Sequence, residues 1–468
     1  MTRVEAAVAA GHPATAAAGA EILDEGGSAA DAAVAASLAS CVAETVMTGL
    51  LGGGHAIHFQ ADTGSIRNLD CFVSVPGLGE TARDTELLEL AVPIGAELVH
   101  YAVGIASCAV PGLPAGLDAL WRKYGRLPWA RLVEPALRLA RDGVEFPSAH
   151  AACLAMLASV MTMNEGARIY APGGHLLESG DRLDQPGLVR ALELVAEEGA
   201  QSFYSGTIAE SLLALVAERG GLVTCDDLIT YAPRWSEPVE AAFAGTRFLT
   251  RGGLSRVPET LERMPTLRGL PETERVLALV GALEGPPAGD GHTTNLCVVD
   301  ADGNACVVTS SLGLGSGDFL PGLDLHLNSM LGEVDLLLGP HEPGDRMASM
   351  MAPSLALDRD GLALAIGSAG GTRLRTALVG AAAGVLDEGL LPEEAVARPR
   401  AHPAGDVVNA EPGVDEGALA QLEARGRTVR RWPARHHYFG GVSLIARNGA
   451  AADPRRNGSV RLGRRTGR

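Results

Sequence analysis

The spacing of apolar and polar residues over the first seventy positions switches between a helical and a strand period. Residues 15–27, TAAAGAEILDEGG, predict a helix that ends at its two glycines. Residues 28–44 open with a Ser-x-x-Asp capping signal and continue as an apolar helix whose small side chains allow burial on every side. Residues 49–70, GLLGGGHAIHFQADTGSIRNLD, predict a glycine-rich turn followed by two strands around an Asp-Thr-Gly turn.

The middle of the chain predicts mostly helices. Amphipathic periodicity covers residues 111–143, which predict two helices, and it recurs over residues 187–199 and 206–219. Residues 235–251 predict a pair of strands. Residues 252–292 carry two short helical pieces and end in EGPPAGDGH, whose Pro and Gly content predicts a mobile linker.

After this linker the pattern becomes rich in strands. TTNLCVVD and NACVVTSS predict a hairpin with its turn at residues 301–303, and residues 351–368 repeat the pattern around DRDG. Residues 370–389 predict a helix, and RTVRRW (427–432) and GGVSLIA (440–446) predict a final pair of strands. This order of elements predicts layered α/β sheets with helices outside.

The amino-acid composition and the net charge limit the classes of protein to which this chain can belong. The 468 residues fit one large α/β unit, and with aromatic residues at only 4% the core must be built from Ala, Val and Leu. The formal net charge of −18 disfavours a nucleic-acid partner, because phosphate binding needs basic patches. Residues 1–19 lack a basic start and a clean apolar segment, and no run of about 18 apolar residues occurs. The sequence therefore predicts neither a secretion signal nor a membrane partner.

The cysteines indicate the redox compartment. They are odd in number, scattered, and without a CxxC or other metal-ligand spacing, and RHH at residues 435–437 has no carboxylate or cysteine at ligand spacing. We therefore expect no metal, mostly buried free thiols and a reducing compartment, which predicts a cytoplasmic protein. The cysteines are Cys41, Cys71, Cys108, Cys153, Cys225, Cys297 and Cys306.

Two threonines begin the strand that follows the linker. A threonine hydroxyl is a weak nucleophile at neutral pH and needs a base. A cut between His292 and Thr293 would create an α-amine that supplies this base within one residue. The alternative is that Thr293 and Thr294 are ordinary β-forming residues at a strand start.

The segment HTTNLCVVDADGNACVVTSSLG resembles the start of the small subunit of γ-glutamyltransferases (γ-glutamyl transpeptidases), which are N-terminal-nucleophile hydrolases. Further stretches match the family in order along nearly the whole chain: HPATAAAGAEILDEGGSAADAAVA, VPGLPAGLDALWRKYGRLPWARLVEPALRLARDG, FYSGTIAE, MAPSLALDRDG, GSAGGTRLRT and ADPRR. The resemblance implies a four-layer αββα sandwich, of α/β (α+β) class. It also implies a self-cleavage between His292 and Thr293. Segments 1–292 and 293–468 would then associate as one domain.

The resemblance also implies roles for individual residues. Thr293 takes the position of the nucleophile, because the family cuts before the first threonine of the pair. Gly370 and Gly371, in a strand–glycine–helix turn, take the position of the oxyanion hole, where backbone N–H groups stabilise developing charge. Ser311 stands where a family threonine supports the nucleophile, and Thr309 is the other hydroxyl on that strand face.

Substrate contacts are where the sequence departs from the family. Glu333 stands at the family's aspartate that holds the substrate amino group, and Ser349 at a serine that faces the substrate carboxylate. Phe72, however, stands at the arginine that grips this carboxylate, and phenylalanine cannot replace a bidentate guanidinium. Met330 and Gly313 replace the family's glutamine and asparagine. The departures predict poor use of glutathione.

Two further positions differ from the family. Asn295 follows the threonine pair where the family has a histidine, and His292 is an unusual residue before the cut. The glycine-rich GLLGGGHA lacks the spacing of a dinucleotide loop, so no phosphate ligand is predicted there. No cofactor is required by the mechanism.

Several functions stay open at this point. The first is an autoprocessing amide hydrolase or acyltransferase that acts on a small amide or amino-acid-derived substrate other than glutathione, with cephalosporin- and oxamate-type amidases as similar outliers of the family. A conventional γ-glutamyl hydrolase or transferase is the second. A third is a carbon–carbon bond hydrolase, as in bacterial pathways to 4-alkyl-L-proline units of antibiotics. The others are an uncleaved ligand-binding homologue and a structural protein; a homo-oligomer also stays open.

Overall fold

The computed structural model describes residues 6–79, 87–94, 97–285, 293–333, 336 and 339–463. The α-helices, numbered along the chain, are α1 (Pro13–Asp24), α2 (Ala29–Ala43), α3 (Leu113–Tyr124), α4 (Trp129–Asp142), α5 (Ser148–Met161), α6 (Gly166–Tyr170), α7 (Pro186–Glu198), α8 (Thr207–Arg219), α9 (Cys225–Thr230), α10 (Val257–Arg263), α11 (Glu272–Leu283), α12 (Arg373–Leu386), α13 (Pro392–Ala397) and α14 (Glu416–Ala424).

The β-strands, numbered in the same way, are β1 (Ala7–Ala10), β2 (Gly53–Gln60), β3 (Ser65–Cys71), β4 (Leu88–Ile94), β5 (Glu97–Val103), β6 (Val144–Glu145), β7 (Arg182–Leu183), β8 (Arg234–Ser236), β9 (Val239–Phe243), β10 (Thr246–Thr250), β11 (Thr294–Val299), β12 (Ala305–Ser311), β13 (Phe319–Leu320), β14 (Leu325–His326), β15 (Ser354–Asp358), β16 (Gly361–Ala369), β17 (Ala401–Ala404), β18 (Val407–Ala410), β19 (Thr428–Arg431), β20 (Gly441–Ala446), β21 (Gly449–Ala452) and β22 (Ser459–Leu462).

Two large sheets form the centre of the molecule. The first sheet has seven strands in the order β22-β1-β11-β12-β2-β3-β8, and the second has six in the order β21-β20-β16-β15-β10-β9. The pairs that join neighbouring strands within each of these sheets are antiparallel. Because successive side chains of a strand point to opposite faces, each sheet can bury both of its surfaces.

Three hydrophobic layers show how the sheets and helices stack. Leu296 and Val298 of β11 pack in one cluster with the alanines of α2, on the outer face of the first sheet. Cys297, the residue between them, packs between the sheets with Ala365 of β16. Ile366, the next residue of β16, packs on the other face of the second sheet with residues of α12. The predicted four-layer αββα sandwich is therefore confirmed.

Helix α2 illustrates how small side chains build this core. All of its residues from Ala29 to Ala43 are buried, as its composition predicts. Ser28 and Asp31 form the predicted capping box: the Ser28 hydroxyl accepts from the Asp31 N–H at 3.1 Å, and the Asp31 carboxylate accepts from the Ser28 N–H at 2.9 Å. The cap satisfies two backbone groups that burial would otherwise leave unpaired.

One strand pair predicted from the sequence is wrong. RTVRRW and GGVSLIA do not pair with each other: β19 lies parallel to β18 in a small three-stranded sheet, while β20 pairs with β16 and β21. Every residue of β20 is buried, whereas Arg431 of β19 is exposed and bonds to Glu416 and Glu423 of α14. A strand with exposed guanidinium groups cannot enter the buried sheet without losing these partners.

Other predicted elements agree more closely with the structure. Strands β9 and β10 pair as predicted from residues 235–251, and the two helical pieces before the linker are α10 and α11. Of the predicted linker, residues 284–292, positions 286–292 lie outside the described residues. The strands β17 and β18, the hairpin of β4 and β5, and helix α5 were not predicted.

Six of the seven cysteines are buried free thiols, and Cys225 is exposed. Within the described part of the chain, no helix combines the length and the apolar character that crossing a bilayer requires.

We expect Ser28→Ala to lower the free energy of unfolding by about 1–2 kcal/mol, because it removes the cap of a helix that is buried on all sides. Chemical denaturation of the wild type and the variant measures this change. Ser179→Ala is the matched control, since Ser179 is exposed in a turn; equal stability loss in the two variants would contradict the role of the cap.

Candidate active site

Strands β11, β12 and β2 of the first sheet bring Thr293 and Ser311, two of the predicted catalytic residues, to the same end of neighbouring strands. Thr294 of β11 pairs with Ser310 of β12, so by the same register Thr293 lies across from Ser311. Ser311 in turn pairs with Gly53 of β2. Since alternate residues share a face and Cys297 lies between the sheets, Thr293 also faces the second sheet. Thr293 is only 5% exposed.

The backbone of Thr293 is held by a buried arginine that the sequence analysis did not single out. Arg456 donates from Nη1 to the Thr293 carbonyl oxygen at 3.3 Å and from Nη2 to the His437 carbonyl oxygen at 3.4 Å. Burial lowers the pKa of Arg456 from its usual value, but a guanidinium stays protonated in proteins. The arginine therefore fixes a positive charge beside the start of β11.

The predicted glycine pair lies beside this arginine. Gly370 and Gly371 form the turn between β16 and α12, and both have positive φ angles, of +126° and +57°. A Cβ atom on Gly370 would come within 2.8 Å of the Gly440 Cα atom and 3.1 Å of Arg456 Nη2. Only glycine fits this conformation and this approach, so the turn can lie close to the Thr293 segment.

The end of β12 carries the next group of predicted residues. The Ser311 hydroxyl accepts from the Gly313 N–H at 3.0 Å. Gly313 has φ of +69°, and a Cβ atom there would lie 2.7 Å from Glu333 Oε1, 2.7 Å from Ser329 Oγ and 3.6 Å from Met330 Sδ. Ser311, Gly313, Met330 and Glu333 thus lie in one small region. Glu333 is a buried carboxyl group at 5% exposure.

The side chain at the family's arginine position is part of an apolar cluster. Phe72 is 1% exposed, and its ring stacks on the His55 imidazole with centroids 5.5 Å apart. Phe72 and Met330 belong to one hydrophobic cluster that includes Met347, Met350 and Met351. The two positions where the family has polar substrate contacts therefore line the same apolar region.

Two arginines lie near this region, but both hold backbone carbonyl groups. Arg346 donates to the Phe72 and Ala232 carbonyl oxygens. Arg251 donates to the Ser349 carbonyl oxygen at 2.8 Å and to that of Met351 at 3.3 Å. The Ser349 hydroxyl accepts from the Met351 N–H at 3.2 Å. Ser349 is thus brought to the edge of the apolar region, with its hydroxyl bonded within its own loop.

The glycines at the start of β2 allow the neighbouring backbone to pack closely against this strand. A Cβ atom on Gly53 would lie 2.7 Å from the Val73 nitrogen, and one on Gly54 would lie 2.6 Å from the Thr309 carbonyl oxygen. These contacts let β2 run between β12 and β3 at the edge that carries Ser311. Asn295, at the family's histidine position, donates to Thr309 Oγ1 at 2.8 Å, and Gly367 leaves room for its amide.

Sequence reasoning also missed a buried carboxyl group behind the threonine pair. Glu44 accepts hydrogen bonds from Thr15 Oγ1 at 2.6 Å and from Thr294 Oγ1. Burial raises the pKa of Glu44 to about 6, although both hydroxyl groups and Arg456 oppose this shift. Its signal in the sequence was a lone acidic residue at the end of an otherwise apolar helix. Thr294 therefore has a buried hydrogen-bond partner of its own.

A cavity of about 20 Å³, enough for one water molecule, lies against these groups. Its walls include Glu44, Thr293, Thr294, His150 and Arg456. Burial lowers the pKa of His150 to about 3, so its imidazole is neutral at physiological pH.

This chain is similar to one protein family and to several of its known members. The Gamma-glutamyltranspeptidase family matches residues 15–274 and 273–462. Acylase ACY 1 proenzyme of Pseudomonas sp. (strain SE83) is 28% identical over 506 residues, covering 93% of this chain and 89% of that protein. Glutathione hydrolase proenzyme of Escherichia coli (strain K12) is 27% identical over 491 residues, covering 88% of this chain and 83% of that protein.

The fold is also shared with a solved structure. Cephalosporin acylase from Bacillus halodurans superposes with a TM-score of 0.83 at 24% sequence identity, covering 98% of this chain and 96% of that one. The family match spans most of the sequence, and the relatives are amide hydrolases and transferases. The chain therefore belongs to the gamma-glutamyltranspeptidase family and is an enzyme of the amide hydrolase or acyltransferase class with the N-terminal-nucleophile hydrolase fold.

Proposed function

We propose that this enzyme is a threonine amidase that cuts its own chain between His292 and Thr293 and acts on an acyl group other than γ-glutamyl. The observation that carries the proposal is the position of Thr293, at the start of a central strand and facing the space between the two sheets. His292 lies outside the described residues. A cut at this point would give Thr293 the free α-amine that its hydroxyl needs as a base.

The strand order supports the association of the two fragments after a cut. Strand β1 from segment 1–292 lies between β22 and β11 from segment 293–468, and β12 lies between β11 and β2. The second sheet likewise joins β10 to β15. Separation would break backbone hydrogen bonds across both sheets and expose the layer between them, so we expect the fragments to remain one domain.

The chemistry of the cut follows from the same groups. The Thr293 hydroxyl adds to the carbonyl carbon of His292, the bond from this carbon to the Thr293 nitrogen breaks, and the nitrogen takes up a proton. Water then hydrolyses the resulting ester, which leaves a carboxylate on His292 and a free amine and hydroxyl on Thr293. No external cofactor enters this sequence of steps.

Turnover of a substrate uses the released group. The Thr293 amine accepts the hydroxyl proton as Oγ1 attacks the amide carbon, and the amine leaving group takes this proton when the carbon–nitrogen bond breaks. Backbone N–H groups at Gly370 and Gly371 are suited to the developing oxyanion, and Ser311 lies across from Thr293 to support its hydroxyl. Water or an acceptor amine then resolves the acyl–threonine ester.

Thr293→Ala is expected to remain a single chain, whereas the wild type yields fragments of residues 1–292 and 293–468, because alanine has no hydroxyl to attack the preceding carbonyl carbon. Intact mass spectrometry under denaturing conditions measures this. Thr293→Ser is the matched variant, since it keeps a hydroxyl and should still be cut. A wild-type protein that stays whole after long incubation would refute the self-cleavage.

The apolar cluster around Phe72 and Met330 supports an apolar acyl group as the substrate portion. A carboxylate placed against these two side chains would lose water without gaining a charged partner from either of them. The similarity to an acylase over 93% of the chain is compatible with such a substrate.

A γ-glutamyl substrate is the second candidate, and Glu333 favours it. Its buried carboxyl group lies beside Gly313, where it could hold the amino group of a γ-glutamyl substrate. This contact supports only one end of the substrate, since Phe72 stands at the position that would hold the carboxylate.

We expect kcat/KM for hexanoyl-p-nitroanilide to exceed that for γ-glutamyl-p-nitroanilide by at least about tenfold, because a few kcal/mol of binding is lost with an unpaired carboxylate. Phe72→Ala should shift preference towards longer acyl chains by enlarging the apolar region. Phe59→Ala is the control, since Phe59 packs between the sheets near the far end of β2. A preference for the γ-glutamyl substrate would establish the second candidate instead.

A further inference from the structure

The carboxyl group of Glu44 is held in place from three directions. Glu44 is the residue that ends α2, and it is 1% exposed. One of its oxygens accepts from Thr15 of α1 and the other from Thr294 of β11. A Cβ atom on Gly11 would lie 2.5 Å from Glu44 Oε2, so the backbone of the turn before α1 closes the third side. The carboxyl group therefore has little freedom to move.

Glu44 and Arg456 hold consecutive residues of the nucleophile segment. Glu44 binds the side chain of Thr294, and Arg456 binds the carbonyl oxygen of Thr293. Both charged groups line the same cavity of about 20 Å³. A carboxylate and a guanidinium that share one buried site thus fix the strand immediately after the proposed cut.

We propose that Glu44 is a positioning residue, which acts through Thr294 to orient Thr293 for the chain cleavage, and that its ionised form is required. This inference rests on the proposed function. An ionised carboxylate accepts hydrogen bonds at both oxygens, so it can bind Thr15 and Thr294 together. A protonated carboxyl group donates from one oxygen, so the threonine hydroxyl at that oxygen must change from donor to acceptor.

Other titratable groups around Glu44 keep one charge state between pH 5 and pH 8. Burial lowers the pKa of His12 to about 4 and that of His150 to about 3, and it raises the pKa of Cys41 to about 12. Asp453 has a lowered pKa because Arg400 and Arg455 surround it, and Arg456 stays cationic. Glu44 itself changes charge near pH 6.

The direction of this pKa shift distinguishes a positioning role of Glu44 from a role in stabilising the fold. The folded protein binds a proton at Glu44 more tightly than the unfolded chain does, so folding stability falls as pH rises through the interval from 4.5 to about 6. At neutral pH the fold with ionised Glu44 is therefore less stable than it would be with protonated Glu44. Replacement by the isosteric glutamine removes that penalty, whereas a residue retained for stability would show the opposite change.

The test follows cleavage of the newly synthesised full chain in cell-free translation, at pH values from 5 to 9, by denaturing electrophoresis. Chain cleavage is followed instead of substrate turnover, because the Thr293 amine, with an expected pKa of about 7.7, does not exist before the cut. Its titration therefore cannot contribute to the pH profile of cleavage. The wild-type rate should fall tenfold per pH unit below about pH 6. Glu44→Gln should be cut at least tenfold more slowly at pH 8, lack this fall, and melt at the same or a higher temperature.

Further variants test the connection through Thr294. Thr294→Val should slow cleavage as Glu44→Gln does, and the double variant should be no slower than either. Thr15→Val should move the midpoint to higher pH, because the hydrogen bond from Thr15 favours the ionised form. His292→Asn should keep the wild-type midpoint, which excludes the imidazole at the cut, whose ordinary pKa is about 6.5, as its source.

Asp227→Asn is the control for loss of a buried carboxylate. Asp227 is 2% exposed and accepts from the Gly77 N–H and the Thr224 hydroxyl, so its replacement should lower the melting temperature without moving the pH midpoint. The inference is overturned if Glu44→Gln is cut at the wild-type rate with an unchanged pH profile. It is also overturned if this variant is cut more slowly but its rate still falls below about pH 6. If the wild type is never cut, the proposed self-cleavage fails together with this inference.

Discussion

The antiparallel pairing of β11 between β1 and β12 is the interaction on which the site depends. It joins a strand from each side of the linker and places Thr294 opposite Ser310. The start of β11, the end of β12 and the start of β2 consequently lie at one edge of the sheet. A slip of one residue would turn Thr293 from the space between the sheets towards the helices. Burial of both faces of β11 makes that slip costly.

Much of this arrangement could be predicted because its signals are local. The capping box of α2, the hairpin of β11 and β12, and the strand–glycine–helix turn at Gly370 each occupy a few consecutive residues. The similarity to a known family then supplied the way the sheets stack. Gly313, Met330 and Glu333 lie together within a stretch of chain from residue 313 to residue 333.

Contacts between distant segments could not be predicted in the same way. Thr294 and Glu44 are 250 positions apart, and Arg456 and Thr293 are 163 apart, so no periodicity links them. The partner of β19 was misassigned for a related reason. A strand pattern shows that a segment can pair, but the exposure of Arg431 and its contacts with α14 decide which sheet it joins.

Buried charge in this acidic chain is concentrated near the segment that carries Arg456. Asp453 accepts from Arg400 and from the Arg455 backbone and guanidinium, and Arg455 also binds Glu411. Removing one member would leave an unpaired buried charge, which costs several kcal/mol. The network therefore makes the 3-10 turn at Pro454–Arg456 rigid. Arg456 projects from this turn to the Thr293 carbonyl, so a support far along the chain reaches the residue before β11.

The groups around Thr293 fall into two sets that lie on different structural elements. Glu44, at the end of α2, binds the side chain of Thr294, the neighbour of Thr293. Arg456, in the turn before β22, binds the Thr293 backbone. Phe72 and Met330 lie in the cluster that packs on the second sheet, and they contribute no hydrogen bond to the first set. Because the two sets share no side chain, we expect substitutions at Phe72 or Met330 to leave the hydrogen bond between Arg456 and the Thr293 carbonyl intact. Phe72 and Met330 can thus stand where the family has polar residues without removing the contacts that Glu44 and Arg456 make at the start of β11.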